Sequence, residues 1–176
     1  MHASHKVLRI DHDRCTGCRL CELVCAVKHS QVSNPMRSRI RVVKWEAEGV
    51  YVPVSCQQCE DAPCVSACPR KALTRDDARG VVDLDYDLCI GCRTCVSVCP
   101  FGAMHFDAID RRVVKCDMCD GDPQCARFCE VKAVEVVDAG DMSLARKREA
   151  ARRIVEADSR SAALQTEQRD PSRRPA

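Results

Sequence analysis

The sequence predicts an α+β fold of two pseudo-symmetric modules, one nested inside the other, with an inserted β-hairpin and a C-terminal helix. Three observations predict it. All sixteen cysteines fall into four quartets: Cys15/Cys18/Cys21/Cys25, Cys56/Cys59/Cys64/Cys68, Cys89/Cys92/Cys95/Cys99 and Cys116/Cys119/Cys125/Cys129. The stretch beginning at Val7 recurs from Val81, with Asp11/Asp85, Asp13/Asp87, Gly17/Gly91 and Arg19/Arg93 among its identities, so shared cysteines alone do not make the match. Short alternating apolar runs precede or follow each quartet, as strands would.

The elements run in order along the chain. Val7 to Ile10 reads as a strand entering the first quartet, and the residues between third and fourth cysteine of each quartet begin a short helix. Residues 29–55 have no counterpart as long in the second half, so they are an insertion. Within it Arg39 to Trp45 and Val50 to Val54 alternate around "EAEG", predicting a β-hairpin. Its Arg37, Arg39, Arg41 and Lys44 are read as facing an acidic partner, screening a metal centre, or guarding a solvated edge. Ala72 to Thr74 and Val81 to Leu84 flank a "DDARG" turn, Met104 to Phe106 and Val113 to Lys115 flank "DAIDRR", and Val134 to Val137 closes the series. The expected layout is an outer module of residues 1–28 plus 100–138, the hairpin at 29–55, and an inner module at 56–99. Residues 139–165 are rich in Ala, Arg and Glu and predict a basic helix, capped by Asp141 or Ser143. Its narrow stripe of Ala150, Ile154, Ala157, Ser161 and Leu164 would pack on the body, on a partner, or on a second copy. Residues 166–176 read as a disordered polar tail.

With aromatics at 3% and a single tryptophan, Trp45, the apolar core is thin, and such chains need metal or disulfide staples. Met1 to Lys6 shows neither an apolar run nor a twin arginine, and no stretch reaches the length of a membrane span. The expected location is therefore a reducing cytoplasm that keeps thiols available for metal. Two quartets read C-x2-C-x2-C-x3-C and two have a wider gap before the third cysteine. A bacterial ferredoxin loop wraps a [4Fe–4S] cubane with this spacing: three thiolates hold it, and the fourth reaches a second cluster. Four clusters account for every cysteine. Gly17 and Gly91, lying between ligands, would let backbone amides approach sulfur. The formal charge of +2 counts cysteines as neutral, so loaded clusters would turn the chain net negative. A structural zinc protein with four all-cysteine sites is the alternative from another class, but zinc modules use separated two-cysteine knuckles.

Chain order alone allows the first quartet to share a module with the second or the fourth. Quartets two and three end in Cys68-Pro69 and Cys99-Pro100, as the two motifs of a dicluster ferredoxin do; quartets one and four lack the proline. This pairs two with three and one with four, and the fourth cysteine crosses over within each module. The expected ligand sets are Cys15/Cys18/Cys21/Cys129, Cys25/Cys116/Cys119/Cys125, Cys56/Cys59/Cys64/Cys99 and Cys68/Cys89/Cys92/Cys95.

Over roughly residues 5–138 the pattern resembles the four-cluster iron–sulfur subunits serving molybdenum and tungsten enzymes, formate dehydrogenases, dimethyl sulfoxide reductase and carbon monoxide dehydrogenase. The stretch from Ser33 to Cys64 is similar to the small subunit beside tungsten aldehyde oxidoreductases. The compact "CDMCDGDPQCARFC" lacks the longer insert of the dimethyl sulfoxide reductase type and implies a cytoplasmic relative. The resemblance implies a non-catalytic subunit relaying single electrons between a catalytic oxidoreductase subunit and a second redox subunit or carrier. A freely diffusing polyferredoxin is the alternative within this class. No nucleophile–base pair or phosphate loop is present, and a basic helix without stacking aromatics does not indicate nucleic acid. His2, His5, His12, His29 and His105 lie outside the quartets and are assigned surface or hydrogen-bonding roles.

Overall fold

The computed structural model describes residues 5–141. The chain divides after Asp138 into two units, and every cysteine lies in the first. The expected basic helix at 139–165, apart from its first three positions, and the tail at 166–176 lie outside the described residues, as does any self-association through that helix.

Alternating apolar residues form four antiparallel pairs of strands. β1 (Lys6–Ile10) pairs with β8 (Val134–Asp138), setting Val7 opposite Val137 and Ile10 opposite Val134. β2 (Arg41–Trp45) pairs with β3 (Val50–Val54). β4 (Leu73–Asp76) pairs with β5 (Val81–Leu84), and β6 (His105–Asp107) with β7 (Arg112–Val114). Asx turns close the last two hairpins: Asp76 Oδ1 accepts from the amides of Ala78 and Arg79, and Asp107 Oδ1 from that of Ile109.

A helix follows in each cysteine loop: α1 (Leu20–Ser30), α2 (Pro63–Ser66), α3 (Thr94–Val98) and α4 (Gln124–Arg127). Their lengths reflect the sequence. Pro69 and Pro100 stand just after Cys68 and Cys99 and cannot continue a helix. Cys25 is followed by Ala26 and α1 runs on to Ser30, whereas α4 stops at Arg127 although Glu130 follows Cys129.

The insertion is tied down by charge. Arg37 bonds Asp107 and Asp110, and Arg39 bonds Asp117, with only 12% of each arginine side chain exposed. Arg41 donates to the carbonyls of Pro35 and Met36. Lys44 lies 3.5 Å from Glu46 and over the Tyr51 ring. These cations serve the chain's own acids and carbonyls, which corrects the reading that they face an acidic partner. Glu22, 1% exposed, secures the other side, accepting from Arg19 Nε at 2.6 Å and from the Val42 amide at 2.7 Å. A buried carboxylate is tolerable with that many donors.

Two apolar clusters make the core, and cysteines are part of both. Leu8, Ile40, Val81, Met118 and Val134 pack with Cys25, Cys116 and Cys125; Leu73, Val82, Met104 and Val113 pack with Cys95. Buried Gln58 and Lys115 stitch them together. Gln58 donates to the Cys116 carbonyl and accepts from the Val82 amide, both at 2.9 Å. Lys115 Nζ donates to the carbonyls of Val82 and Cys116.

Candidate metal centres

The cysteines gather four at a time. Cys56, Cys59, Cys64 and Cys99 line one small cavity. Cys68, Cys89, Cys92 and Cys95 line another. Cys15, Cys18, Cys21 and Cys129 line a third, with Val42, Pro53 and Phe128. Cys25, Cys116, Cys119 and Cys125 are all buried, and the charges on the other three, and on neighbouring Cys21, would act on the Cys125 thiol. In every group three sulfurs come from one loop and the fourth from another.

The groups stand in a row. Cys21 and Cys129 pack against the cluster holding Cys25 and Cys125, and Cys56 packs against the same cluster. Cys59, Cys64 and Cys99 share the second cluster with Cys68 and Cys95. Cys18 and Cys92 are the two exposed cysteines; they belong to the first and last groups of the row, and the other fourteen are partly or wholly buried. No two cysteines are joined as a disulfide.

Burial makes these thiols poor acids. It is the largest cause raising Cys21 and Cys116 to about 12 and Cys95 to about 11, and it raises Cys125 further still. Nearby thiolates add to the effect, so four negative sulfurs cannot share such a space without positive charge between them. Iron supplies that charge, and soft thiolate donors suit iron–sulfur cores. Backbone donors are already aimed at sulfur. The amides of Arg39, Ala72 and Met118 stand 3.2, 3.3 and 3.4 Å from Sγ of Cys25, Cys68 and Cys116. At Cys68 burial pushes upward, but the amides of Leu73, Ala72 and Arg70 outweigh it and lower the thiol below its ordinary value. The hydroxyl and amide of Thr94 lower Cys92 in the same way. Such donors stabilise thiolate and tune potential.

The residue before the second cysteine of each loop has positive φ: Gly17 at 69°, Gln58 at 49°, Gly91 at 68° and Met118 at 58°. Since Gln58 and Met118 hold this conformation, φ alone does not require glycine. Gly17 carries a second demand, because a Cβ there would lie 2.7 Å from the Tyr51 ring, whereas at Gly91 it would meet nothing within 4 Å. Gly17→Ala is therefore expected to cost more than Gly91→Ala, for which a left-handed residue alone accounts for about 1–2 kcal/mol. Denaturant midpoints of the two loaded variants check this; equal losses would remove the role given to Tyr51.

Sequence reasoning named the sulfurs but missed the groups around them. His29, Asp117 and Cys119 converge, with their ligand atoms all within 4.8 Å of one another. Gln58 and Lys115 carried no motif that could have marked them. Among the described residues no helix is long and apolar enough to cross a membrane.

Comparison with known proteins places these features. A family model described as a 4Fe-4S dicluster domain matches residues 47–139, and one described as a 4Fe-4S binding domain matches residues 12–28. Between them they take in every cysteine, and sixteen thiols fit four [4Fe–4S] clusters. The chain is 43% identical over 120 residues to the aliphatic sulfonate oxidoreductase, polyferredoxin-like subunit, of Pyrococcus furiosus, covering 68% of this chain and 69% of that one. It is 36% identical over 158 residues to the electron transport protein HydN of Escherichia coli, covering 73% and 85%. It is 34% identical over 175 residues to formate hydrogenlyase subunit 2 of the same organism, covering 78% and 84%. The α+β architecture, the cysteine-lined cavities and these matches agree: the chain belongs to the 4Fe-4S dicluster family of ferredoxin-like electron-transfer subunits.

Proposed function

We propose that the chain is the relay subunit of an oxidoreductase complex, passing single electrons between a catalytic subunit and a second redox subunit or carrier. The observation that carries this is the row of four cysteine groups with an exposed cysteine in each terminal group and none in the two between. When bound, each cluster takes up and gives back one electron. The chain's residues bury the Cys25/Cys116/Cys119/Cys125 group, direct amide donors at sulfur, and leave Cys18 and Cys92 accessible to redox partners.

The ligand sets we assign are Cys15/Cys18/Cys21/Cys129, Cys25/Cys116/Cys119/Cys125, Cys56/Cys59/Cys64/Cys99 and Cys68/Cys89/Cys92/Cys95. They make two nested modules, the outer one closed by the pairing of β1 with β8. The catalytic partner we favour is a tungsten or molybdenum pterin oxidoreductase of the aldehyde-oxidising kind, in a reducing cytoplasm. The likeness of the Ser33 to Cys64 stretch supports that assignment, and the Pyrococcus furiosus relative, itself an oxidoreductase subunit, supports the broader role. Sulfurs arranged around a cavity argue for a cluster over a single zinc ion bound at about 2.3 Å from each sulfur.

Two measurements test this reading. Anaerobically prepared protein should hold about sixteen iron atoms, four to each cubane, and far fewer would refute it. Cys99→Ser should remove or convert the same paramagnetic centre as Cys64→Ser. A signature matching Cys92→Ser instead would overturn the crossover of the fourth cysteine.

A further inference from the structure

His29 lies in the last turn of α1 with its side chain only 11% exposed. Its Nε2 stands 3.4 Å from Cys119 Sγ and 3.5 Å from Asp117 Oδ1. Asp117 is itself fixed. Its Oδ1 accepts from the Cys119 amide at 2.9 Å, and its Oδ2 takes the Arg39 guanidinium. Arg39 closes the ring by donating its own amide to Cys25 Sγ at 3.2 Å. No histidine lines the three other cysteine cavities among the described residues.

The chemistry leaves one arrangement. A metal-bound Cys119 is a thiolate and accepts only, and a carboxylate clamped by arginine also accepts only. Nε2 faces both, so it must carry a hydrogen in either protonation state of the ring. A donor on a ligand sulfur stabilises the extra negative charge of the reduced cluster more than that of the oxidised one. Burial works the other way, and this is the most enclosed of the four groups.

We propose that His29 is a positioning residue for electron transfer: its Nε2–H, aimed by Asp117 and Arg39, donates to Cys119 Sγ and makes this one cluster easier to reduce than its burial alone would allow. The proposal rests on the reading that Cys25, Cys116, Cys119 and Cys125 share a cluster. It gives the second member of the row a potential set separately from its neighbours.

The test uses the loaded full chain. Redox titration followed by electron paramagnetic resonance on His29→Phe should show one midpoint potential moved negative and the others unmoved, with iron content unchanged. His29→Gln, which keeps a side-chain N–H, should recover part of the shift. In the native protein labelled with ¹⁵N-histidine, pulsed resonance should detect an imidazole nitrogen coupled to one reduced cluster. Unmoved potentials in fully loaded His29→Phe would overturn the proposal, as would a shift shared by all clusters. Should that variant lose iron, lack of ¹⁵N coupling in the native protein would overturn it instead. Failure of the underlying grouping reads differently: the centre shifted in His29→Phe would be the one lost in Cys119→Ser but not the one lost in Cys25→Ser.

Discussion

Stripping the iron under anaerobic conditions is expected to abolish cooperative tertiary structure, not merely colour. The reason lies in how the core is made. The strands form isolated pairs, and a two-stranded hairpin is marginal by itself in water. What joins them is a pair of apolar clusters in which sulfur occupies several central positions. Without iron the four sulfurs of each group have nothing between them, and metal binding free energy in such chains is folding free energy. Near-ultraviolet circular dichroism and denaturant titration of the stripped chain check this. A sharp transition with native-like dichroism would mean that apolar packing suffices.

Protons give this expectation a sign. In the metal-free fold burial raises Cys21 and Cys116 to about 12, against 9.0 for the ordinary thiol. At neutral pH these groups are protonated in both the metal-free fold and the unfolded chain, so they add no pH dependence there. Loading demands thiolate, so taking up iron releases protons, and retention should weaken as pH falls. Above about pH 9 the unfolded chain loses protons that buried thiols would keep, so any structure left without iron weakens further as pH rises toward 12. Iron retention measured across acidic pH tests the first branch; flat retention would contradict it.

Lys115→Met is expected to cost about 3 kcal/mol, from hydrogen bonds to a charged group worth about 1.5–3 kcal/mol each and a desolvated carbonyl left behind. Lys115 is 3% exposed, and methionine fills a similar volume without a donor. The Cys116 carbonyl keeps its bond from Gln58, so the loss falls mainly on the Val82 carbonyl in β5. The ammonium also favours the thiolates of Cys64 and Cys116, which belong to the two middle groups. Both middle potentials should therefore move negative while the terminal pair stays in place. Denaturant unfolding and redox titration of one preparation measure both effects. Full stability with unmoved potentials would reduce Lys115 to a spacer.

The cysteines were readable because their spacing is local and chemically narrow. So were Val81–Leu84 and Val50–Val54, where alternation is clean and a turn lies beside each strand. The supporting polar residues were not. Arg37 and Arg39 look like any basic edge until Asp107 and Asp117 arrive, 70 and 78 residues further along. Gln58 finds the Cys116 carbonyl across 58 residues, and His29 meets Cys119 across 90. No periodicity encodes such meetings; they exist only once the two ends of the chain have been brought together. Local pattern therefore reaches as far as the sulfurs and stops there.

That closure has a consequence for how the molecule is made. A ribosome releases Lys6–Ile10 early, but its pairing edge stays open until Val134–Asp138 has emerged. Cys15, Cys18 and Cys21 likewise wait for Cys129 to complete their cavity, whereas the sulfurs from Cys56 to Cys99 are all present well before translation reaches that point. Assembly factors delivering iron and sulfide thus meet a nascent polypeptide whose middle is ready before its margins.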